Sequence, residues 1–308
     1  MATRQELNRD KHNKIETEKN KAKKKDRTIF IFKIILFFVI GITIMFFYIT
    51  YVANLHNIVR EYRIKSSKIP DSFNGTKIIQ FSDLHYGSTM FEENLKELSK
   101  IINERKPDII VFTGDLIDKN YKISNEDTEL IADKLKNLNA NLGKYAILGD
   151  EDNDKITTIY NQANFTLLKN EYDLIYKDEN NPILLIGLSS LINNEQNIET
   201  GYNYFNNNVY NSNIYTITLV HEPDSTDDII AYHNTDLILS GHSHNGNIRV
   251  PIINYSLFKI NGAKKYDQDY YKIKDTKLYI SSGLGTNNSS GIRLFTRPSV
   301  TLYRLTNK

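Results

Sequence analysis

From Thr76 onward, short apolar runs alternate with segments in which apolar residues recur every three or four positions. Thr76–Gln80 (TKIIQ), Asp108–Phe112 (DIIVF) and Lys144–Leu148 read as strands. Between the first two, Phe91, Leu95, Leu98 and Ile102 repeat at 4, 3 and 4, which predicts an amphipathic helix over Phe91–Arg105. Thr89 and Glu92 suggest its capping box, and Pro107 ends it. Glu126–Leu138 reads as a second helix, stopped near Gly143. The order βαβαβ predicts parallel strands with crossover helices. Ile183–Gly187, Ile214–Val220 and Asp236–Ser240 continue the strands, and Ser225–Tyr232 is a short helix with Asp227 and Asp228 in its first turn. The remainder is strand and turn: Asn247–Val250, Tyr266–Ile273, Lys277–Ser281 and Val300–Leu305. A β-rich second half after a βαβ first half predicts two packed sheets. The Asn-rich, low-complexity stretch Ser189–Asn213 reads as a surface insertion, with a lid over a site as the alternative. Asn57–Lys68 reads as a charged connector.

One segment breaks this pattern. Ile34–Ala53 is twenty residues without a charge, rich in Ile and Phe. As a helix it would span about 30 Å, the thickness of a bilayer's hydrocarbon core. Lys33 sits where it can snorkel, and Tyr48 and Tyr51 mark the far interface. Tyr51 at −3 argues against cleavage after Ala53, and no Arg-Arg pair precedes the segment. Residues 1–27 hold ten Lys/Arg against five Asp/Glu, a net of +5; the chain as a whole is +2, which leaves −3 for residues 28–308. The expected organisation is a basic, solvated and disordered cytoplasmic tail (1–27), a transmembrane helix (28–53) and an outward-facing domain (54–308). The mildly acidic domain has no basic–aromatic stripe, so nucleic acid is not an expected partner. With no Cys in the chain, disulfides and thiolate ligands are excluded.

Candidate chemistry sits at the ends of the apolar runs. The first strand runs into FSDLHYG, which holds Asp83 and His85; the next into TGDLID, with Asp115 and Asp118; the third into GDED, with Asp150, Glu151 and Asp152. Ile214–Val220 runs into His221, and Asp236–Ser240 into GHSH, with His242 and His244. Carboxylates and imidazoles gathered at strand ends suit a borderline-hard divalent metal such as Zn, Mn or Fe.

The order DLH, GD, a Gly-led acidic motif, His and GHSH resembles the calcineurin-like metallophosphoesterase superfamily, and most of all its bacterial membrane-associated branch. The similarity runs from about Tyr62 to the C-terminus and includes YISSGLGT (Tyr279–Thr286). It implies a four-layer α/β/β/α sandwich with the site where the loops of two sheets meet. It also implies two divalent metal ions and hydrolysis of a phosphodiester, monoester or pyrophosphate by metal-bound hydroxide. By resemblance, Asp83, His85 and His244 bind the first ion, Asp115 bridges through its two oxygens, and Asp150, His221 and His242 complete the second. Gly114 and Gly241 leave room for the backbone, with Ser82 and Asp118 as supporting groups or local caps.

One motif departs from the family, which has Gly-Asn-His-Asp or Gly-Asn-His-Glu where this chain has Gly149-Asp150-Glu151-Asp152. Asp150 keeps an oxygen ligand and adds a charge. Three aspartates and a hydroxide then cancel the charge of two divalent ions, and attraction for an anionic phosphate weakens. Glu151 replaces the family's leaving-group acid, and would act only if protonated. Two readings follow: a membrane-anchored phosphoesterase acting on an envelope or lipid-linked phosphoester, or a metal-binding scaffold or sensor with weakened catalysis.

Overall fold

The computed structural model describes residues 4–48, 58–178, 180–207, 213–246, 248–250, 255–256, 259–286 and 293–308. The chain divides into two compact units, residues 1–52 and 53–308. The first is a single helix, α1 (Arg4–Phe47), whose apolar side chains from Ile29 to Phe47 are largely exposed. It is long and apolar enough to cross a membrane. The expected disordered tail is helical from Arg4, because its Lys, Glu and Ala residues are good helix formers that extend the apolar segment. Residues 49–53, including Tyr51, lie outside the described residues.

The second unit contains two six-stranded mixed sheets. Nine of its strands are β1 (Ile58–Lys65), β2 (Lys77–Phe81), β3 (Ile109–Thr113), β4 (Lys144–Ile147), β5 (Thr166–Leu167), β6 (Glu171–Ile175), β7 (Ile183–Gly187), β8 (Thr216–Val220) and β9 (Leu237–Ser240). The short pair β10 (Arg249–Val250) and β11 (Tyr255–Ser256) stands apart, and β12 (Tyr270–Ile273), β13 (Thr276–Ile280) and β14 (Ser299–Thr306) complete the set. One sheet runs β1-β14-β2-β3-β4-β5 and the other β12-β13-β9-β8-β7-β6. Helices α2 (Glu92–Arg105), α3 (Asn125–Lys136) and α4 (Asp154–Gln162) pack on the first sheet. Helices α5 (Ile198–Gly201), α6 (Asn203–Asn207) and α7 (Thr226–Tyr232) lie on the second sheet's side.

Three apolar layers separate these four. Ile79, Phe81, Ile110 and Phe112 face Leu98, Ile131 and Tyr160 of the first helical layer. Their strand neighbours Ile78, Ile109 and Val111 face Ile183, Leu185, Ile217 and Leu219 across the middle. Leu184, Ile186 and Ile238 face Tyr202 and Ile229 on the other side. Strands buried on both faces need no polar alternation, which is why DIIVF reads as a continuous run. The result is the expected α/β/β/α sandwich. In each sheet the central strands are parallel, so their C-terminal ends share one edge.

The expected connector 57–68 is instead strand β1, paired in parallel with β14; residue 57 lies outside the described residues. Only Ile64 of this edge strand is fully buried, so its Arg, Glu and Lys residues suit the solvent side, where charge discourages edge-to-edge pairing. The first helix is not capped by Thr89 and Glu92. Asn94 Oδ1 accepts from Phe91 N (2.9 Å), while Thr89 Oγ1 accepts from Thr286 N (2.9 Å). The strand expected over Tyr266–Ile273 begins only at Tyr270, and that over 247–250 is Arg249–Val250, with residue 247 outside the described residues. The Asn-rich stretch is no bare insertion. It carries α5 and α6, and Tyr202 and Tyr204 are buried in the outer layer, whereas residues 208–212 lie outside the described set.

Gln80 ties the sheets together beneath the shared edge. Its Nε2 donates to Thr113 Oγ1 (3.0 Å) and Ser240 O (2.8 Å), and its Oε1 accepts from Tyr303 OH (2.7 Å). Removing that hydroxyl leaves a buried acceptor without its donor. Tyr303→Phe should therefore cost about 1–3 kcal/mol in chemical denaturation, with no change in metal content.

Candidate metal centre

Every sequence-singled ligand lies just beyond a strand end on the shared edge. Asp83 and His85 follow β2, Asp115 follows β3, Asp150 follows β4, His221 follows β8, and His242 and His244 follow β9. Asp115, Asp150, His221 and His242 form one group, and Asp83, His85 and His244 another; in each group the ligand atoms lie within 4.8 Å of one another. Glu151 joins His85 and Asp115 in a third such group.

Hydrogen bonds orient the donor atoms. His221 Nδ1 donates to Thr113 O (2.6 Å), leaving Nε2 to face Asp115 Oδ2 and Asp150 Oδ1, each at 3.2 Å. His242 Nε2 donates to Asn261 O (2.6 Å), leaving Nδ1 3.0 Å from Asp150 Oδ1. Neutral imidazoles so fixed present lone pairs to carboxylate lone pairs, which repel unless a cation lies between them. The unpaired buried atoms tell the same story. Asp150 Oδ1 and His221 Nε2 have no aligned hydrogen-bond partner, although each faces the cluster; Asp83 Oδ2 is also unpaired, while its Oδ1 accepts from His242 N (2.9 Å) and lies 3.6 Å from His244 Nε2. His85 Nδ1 is also unaligned, with Glu151 Oε2 at 3.2 Å. Such a donor set fits divalent cations.

Asp115 faces both groups with a single oxygen. Its Oδ2 is 3.2 Å from His221 Nε2 and 3.7 Å from His85 Nε2, whereas Oδ1 accepts from Glu151 N (3.0 Å). Oδ2 is thus the oxygen that faces both groups, and Oδ1 is turned to the backbone of Glu151. In the other group His85 Nε2 and His244 Nε2 approach to 3.1 Å. His244 differs from the other imidazoles: the buried Arg293 guanidinium faces its Nδ1 at 3.2 Å. Burial, with the positive charges of His85 and Arg293, holds His244 well below its ordinary pKa.

The remaining groups compete for protons. Burial raises Asp83 and would raise Asp115 too, but His221 outweighs it there and holds Asp115 low. Burial pulls His221 down, and Asp115, Asp150 and Asp83 overcome it and push the imidazole well above its usual range. Burial would raise Asp150, but His221 and His242 hold it far below the carboxylate range.

Five candidate ligands sit in left-handed backbone: Asp83 (φ 52°), His85 (φ 44°), Asp115 (φ 60°), His242 (φ 64°) and His244 (φ 47°). Such residues cost about 1–3 kcal/mol each and persist where the surroundings force them. Asp152 supplies much of that force. Its carboxylate accepts from Asp115 N (2.9 Å), Leu116 N (2.9 Å) and Gly149 N (2.8 Å). Burial and the charge of Asp115 push it up to about 7, against these donors. Its spacing from Gly149 was visible in the sequence, but its other two targets, Asp115 N and Leu116 N, lie in the loop after another strand. Gly241 gives the close approach expected of it, since a Cβ there would lie 2.1 Å from Ser82 Oγ. Gly114, at φ 96°, likewise leaves room for His221 Nδ1 and Gly149 N. Ser82 Oγ donates to Thr113 O, and Asp118 accepts from Asn120 N as a local cap.

Glu151 is not poised as a proton donor. Oε2 lies beside His85 Nδ1, and Oε1 pairs with Lys119 Nζ at 3.0 Å. Burial would raise its carboxyl, but His85 and Lys119 outweigh this and hold it below its usual value. Glu222 was missed by sequence reading. Buried after His221, it accepts from Ser190 Oγ, Leu191 N and Ile192 N, and so ties the start of the Asn-rich stretch to the site. Asn193 Nδ2 then donates to Asp150 O (3.2 Å).

Residues 76–246 match the calcineurin-like phosphoesterase family. The chain is 34% identical over 254 residues to YkuE, an uncharacterized metallophosphoesterase of Bacillus subtilis, covering 80% of this chain and 84% of that one. It is 27% identical over 290 residues to the UDP-2,3-diacylglucosamine pyrophosphatase LpxG of Chlamydia muridarum, covering 77% and 86%. Among solved structures it is similar to the calcineurin-like phosphoesterase YfkN from Bacillus subtilis, with a TM-score of 0.42 and 15% identity over 68% of this chain and 81% of that one.

A Cβ at Gly149 would lie 2.1 Å from Asp115 Oδ1 and 2.6 Å from its amide nitrogen. Gly149→Ala should therefore displace Asp115 and lower metal content by elemental analysis, although no ligand is altered. Full loading would show that Asp115 is not held as described.

Proposed function

The chain belongs to the calcineurin-like phosphoesterase family, and from that premise we propose that it is a membrane-anchored phosphoesterase using two divalent ions, with its sheet domain outside the cell. The carrying observation is the convergence of seven Asp and His side chains in two ligand groups, with Asp150 Oδ1 and His221 Nε2 buried and unpaired and Asp115 Oδ2 facing both groups. Asp83, His85 and His244 would hold the first ion, Asp150, His221 and His242 the second, and Asp115 both. When bound, the ions neutralise phosphoryl oxygens and acidify a water into a nucleophile. Thr113 O and Asn261 O fix which nitrogens of His221 and His242 face inward, and Asp152 holds the Asp115 backbone. Glu151 acts as a positioning residue. A carboxylate beside the outer nitrogen of a ligating histidine orients the ring and raises its basicity.

An ionised Glu151 supplies no proton to a leaving group, which favours substrates that need none. A pyrophosphate linkage is of that kind, because it leaves as a stable phosphate. The pyrophosphatase relative supports this choice, and the diacylated substrate in its name supports an envelope phosphoester. The scaffold alternative rested on loss of the acid; a substrate indifferent to the acid removes that ground. Anchoring through α1, rather than removal as a signal sequence, is supported by Tyr51 at −3 and the +5 tail. The proposed organisation keeps residues 1–27 cytoplasmic, 28–53 in the membrane and 54–308 outside.

Asp115→Asn should lower occupancy of both ions, and His85→Ala mainly the first; equal full loading by elemental analysis would refute the ligand sets. Glu151→Gln should weaken the first ion by about 10–100-fold. Its effect should be similar on p-nitrophenyl and alkyl phosphodiesters, with no change in pH profile at saturating Mn²⁺. A general acid would instead cost about 10²–10⁴ on the alkyl ester alone. Protease added to intact cells should digest the domain and spare the N-terminal tail; the opposite pattern reverses the topology.

A further inference from the structure

The domain begins at the sheet edge that carries its own metal centre. Ile58, the first residue of β1, donates its amide to Pro298 O (3.0 Å) and pairs in register with Ser299. Ser299 N donates to Gly283 O (3.3 Å), and a Cβ on Gly283 would lie 2.9 Å from both Asp83 Cβ and His244 Nδ1. The chain entering β1 thus stands three contacts from the candidate ligands Asp83 and His244. Nine residues, 49–57, separate the described helix from Ile58, a reach of roughly 35 Å at most.

An exposed aromatic residue lies close by in the chain. Phe295 follows Arg293, which touches His244, by two residues, and precedes Pro298 by three. Its side chain is 61% exposed, and its backbone is left-handed (φ 59°), a conformation costly for a bulky residue. Phe91, 50% exposed, follows Met90, whose carbonyl receives Gly87 N just beyond the DLH motif. Large apolar side chains held in water at the end of a short tether from a membrane-spanning length of helix match a lipid surface. The opposite edge offers a competing face. There Lys65, Lys68, Lys272, Lys274 and Lys277 line a groove of about 500 Å³. It lies at the far end of β1, about 23 Å from Ile58 at strand rise.

We propose that the metal centre is interfacial: Phe295 seats its mouth in the lipid surface, and it takes phosphoesters whose acyl chains stay in the bilayer. This rests on the phosphoesterase reading and selects a lipid-held substrate over a soluble or wall-polymer one.

Two measurements on the full chain, reconstituted in phosphatidylcholine vesicles with Mn²⁺, test it. The protein has no Trp, so Phe295→Trp provides a single reporter. Its fluorescence should be quenched at least twofold by dibrominated phosphatidylcholine; no quenching overturns the proposal, as it must if the lysine-lined edge faces the lipid. Turnover is then compared for 1,2-dipalmitoylglyceryl p-nitrophenyl phosphate in the enzyme's own vesicles, the same ester in separate vesicles, and soluble ethyl p-nitrophenyl phosphate. The shared-vesicle rate should exceed the separate-vesicle rate about tenfold or more, as expected from effective concentration. Phe295→Ser should lower the shared-vesicle rate at least threefold, leave the ethyl ester unchanged, and be rescued by Phe295→Trp. Turnover of the ethyl ester with equal vesicle rates, or a Phe295→Ser effect on both esters or neither, overturns the interfacial proposal alone. No turnover of any ester in metal-loaded protein overturns the phosphoesterase reading and this one with it.

Discussion

Four carboxylates and four imidazoles, counting Glu151, meet in a buried space with lone pairs aimed at one another. That convergence is the constraint on which the rest depends. Unneutralised, it is repulsive, and the proton-binding tendencies of His221 and Asp83 express the same demand for positive charge. Divalent cations satisfy it without protonating the ligands. The fold accepts left-handed backbone at five ligands to bring it about. Parallel strands make the arrangement achievable: each hands its ligand-bearing loop to the same edge, and two sheets facing one another offer two such rows.

Rigid support beneath that edge is polar. Gln80 joins β2 to β3, β9 and β14 with three hydrogen bonds, and Asp152 gathers three backbone N–H groups below Asp115. Buried polar groups this fully satisfied specify one geometry, whereas an apolar replacement would fill the space without fixing the loops. The departure at Glu151 belongs with them. Its side chain is divided between His85 and Lys119, which fits the positioning role proposed for it.

That exchange bears on substrate choice. On the proposed ligand set, a centre with three aspartates is less electropositive than one with two, and the proposed role of Glu151 favours substrates whose leaving groups are already stable. The chain's path is compatible with such a role at a surface, because β1 starts on the sheet edge that carries the ligands and not at the far end.

Short apolar runs ending in acid or histidine are local signals, so the sequence by itself marked the central strands, the helices α2, α3 and α7, and the acids and histidines that the fold gathers, while the four-layer class and the ligand sets were what the family resemblance implied. It missed β1, whose charged residues sit on an exposed sheet edge and so break the alternation, and it missed α4, β5 and β6. Only the tertiary structure decided which oxygen of Asp115 faces both groups, that Glu151 is ion-paired, and that Asp152 and Glu222 brace the site. Each of these depends on partners thirty or more residues away, brought close by strand pairing that no local spacing encodes. The position of Ile58 on the sheet edge that carries the centre follows from the parallel register of the first and last strands, a contact across almost the whole domain.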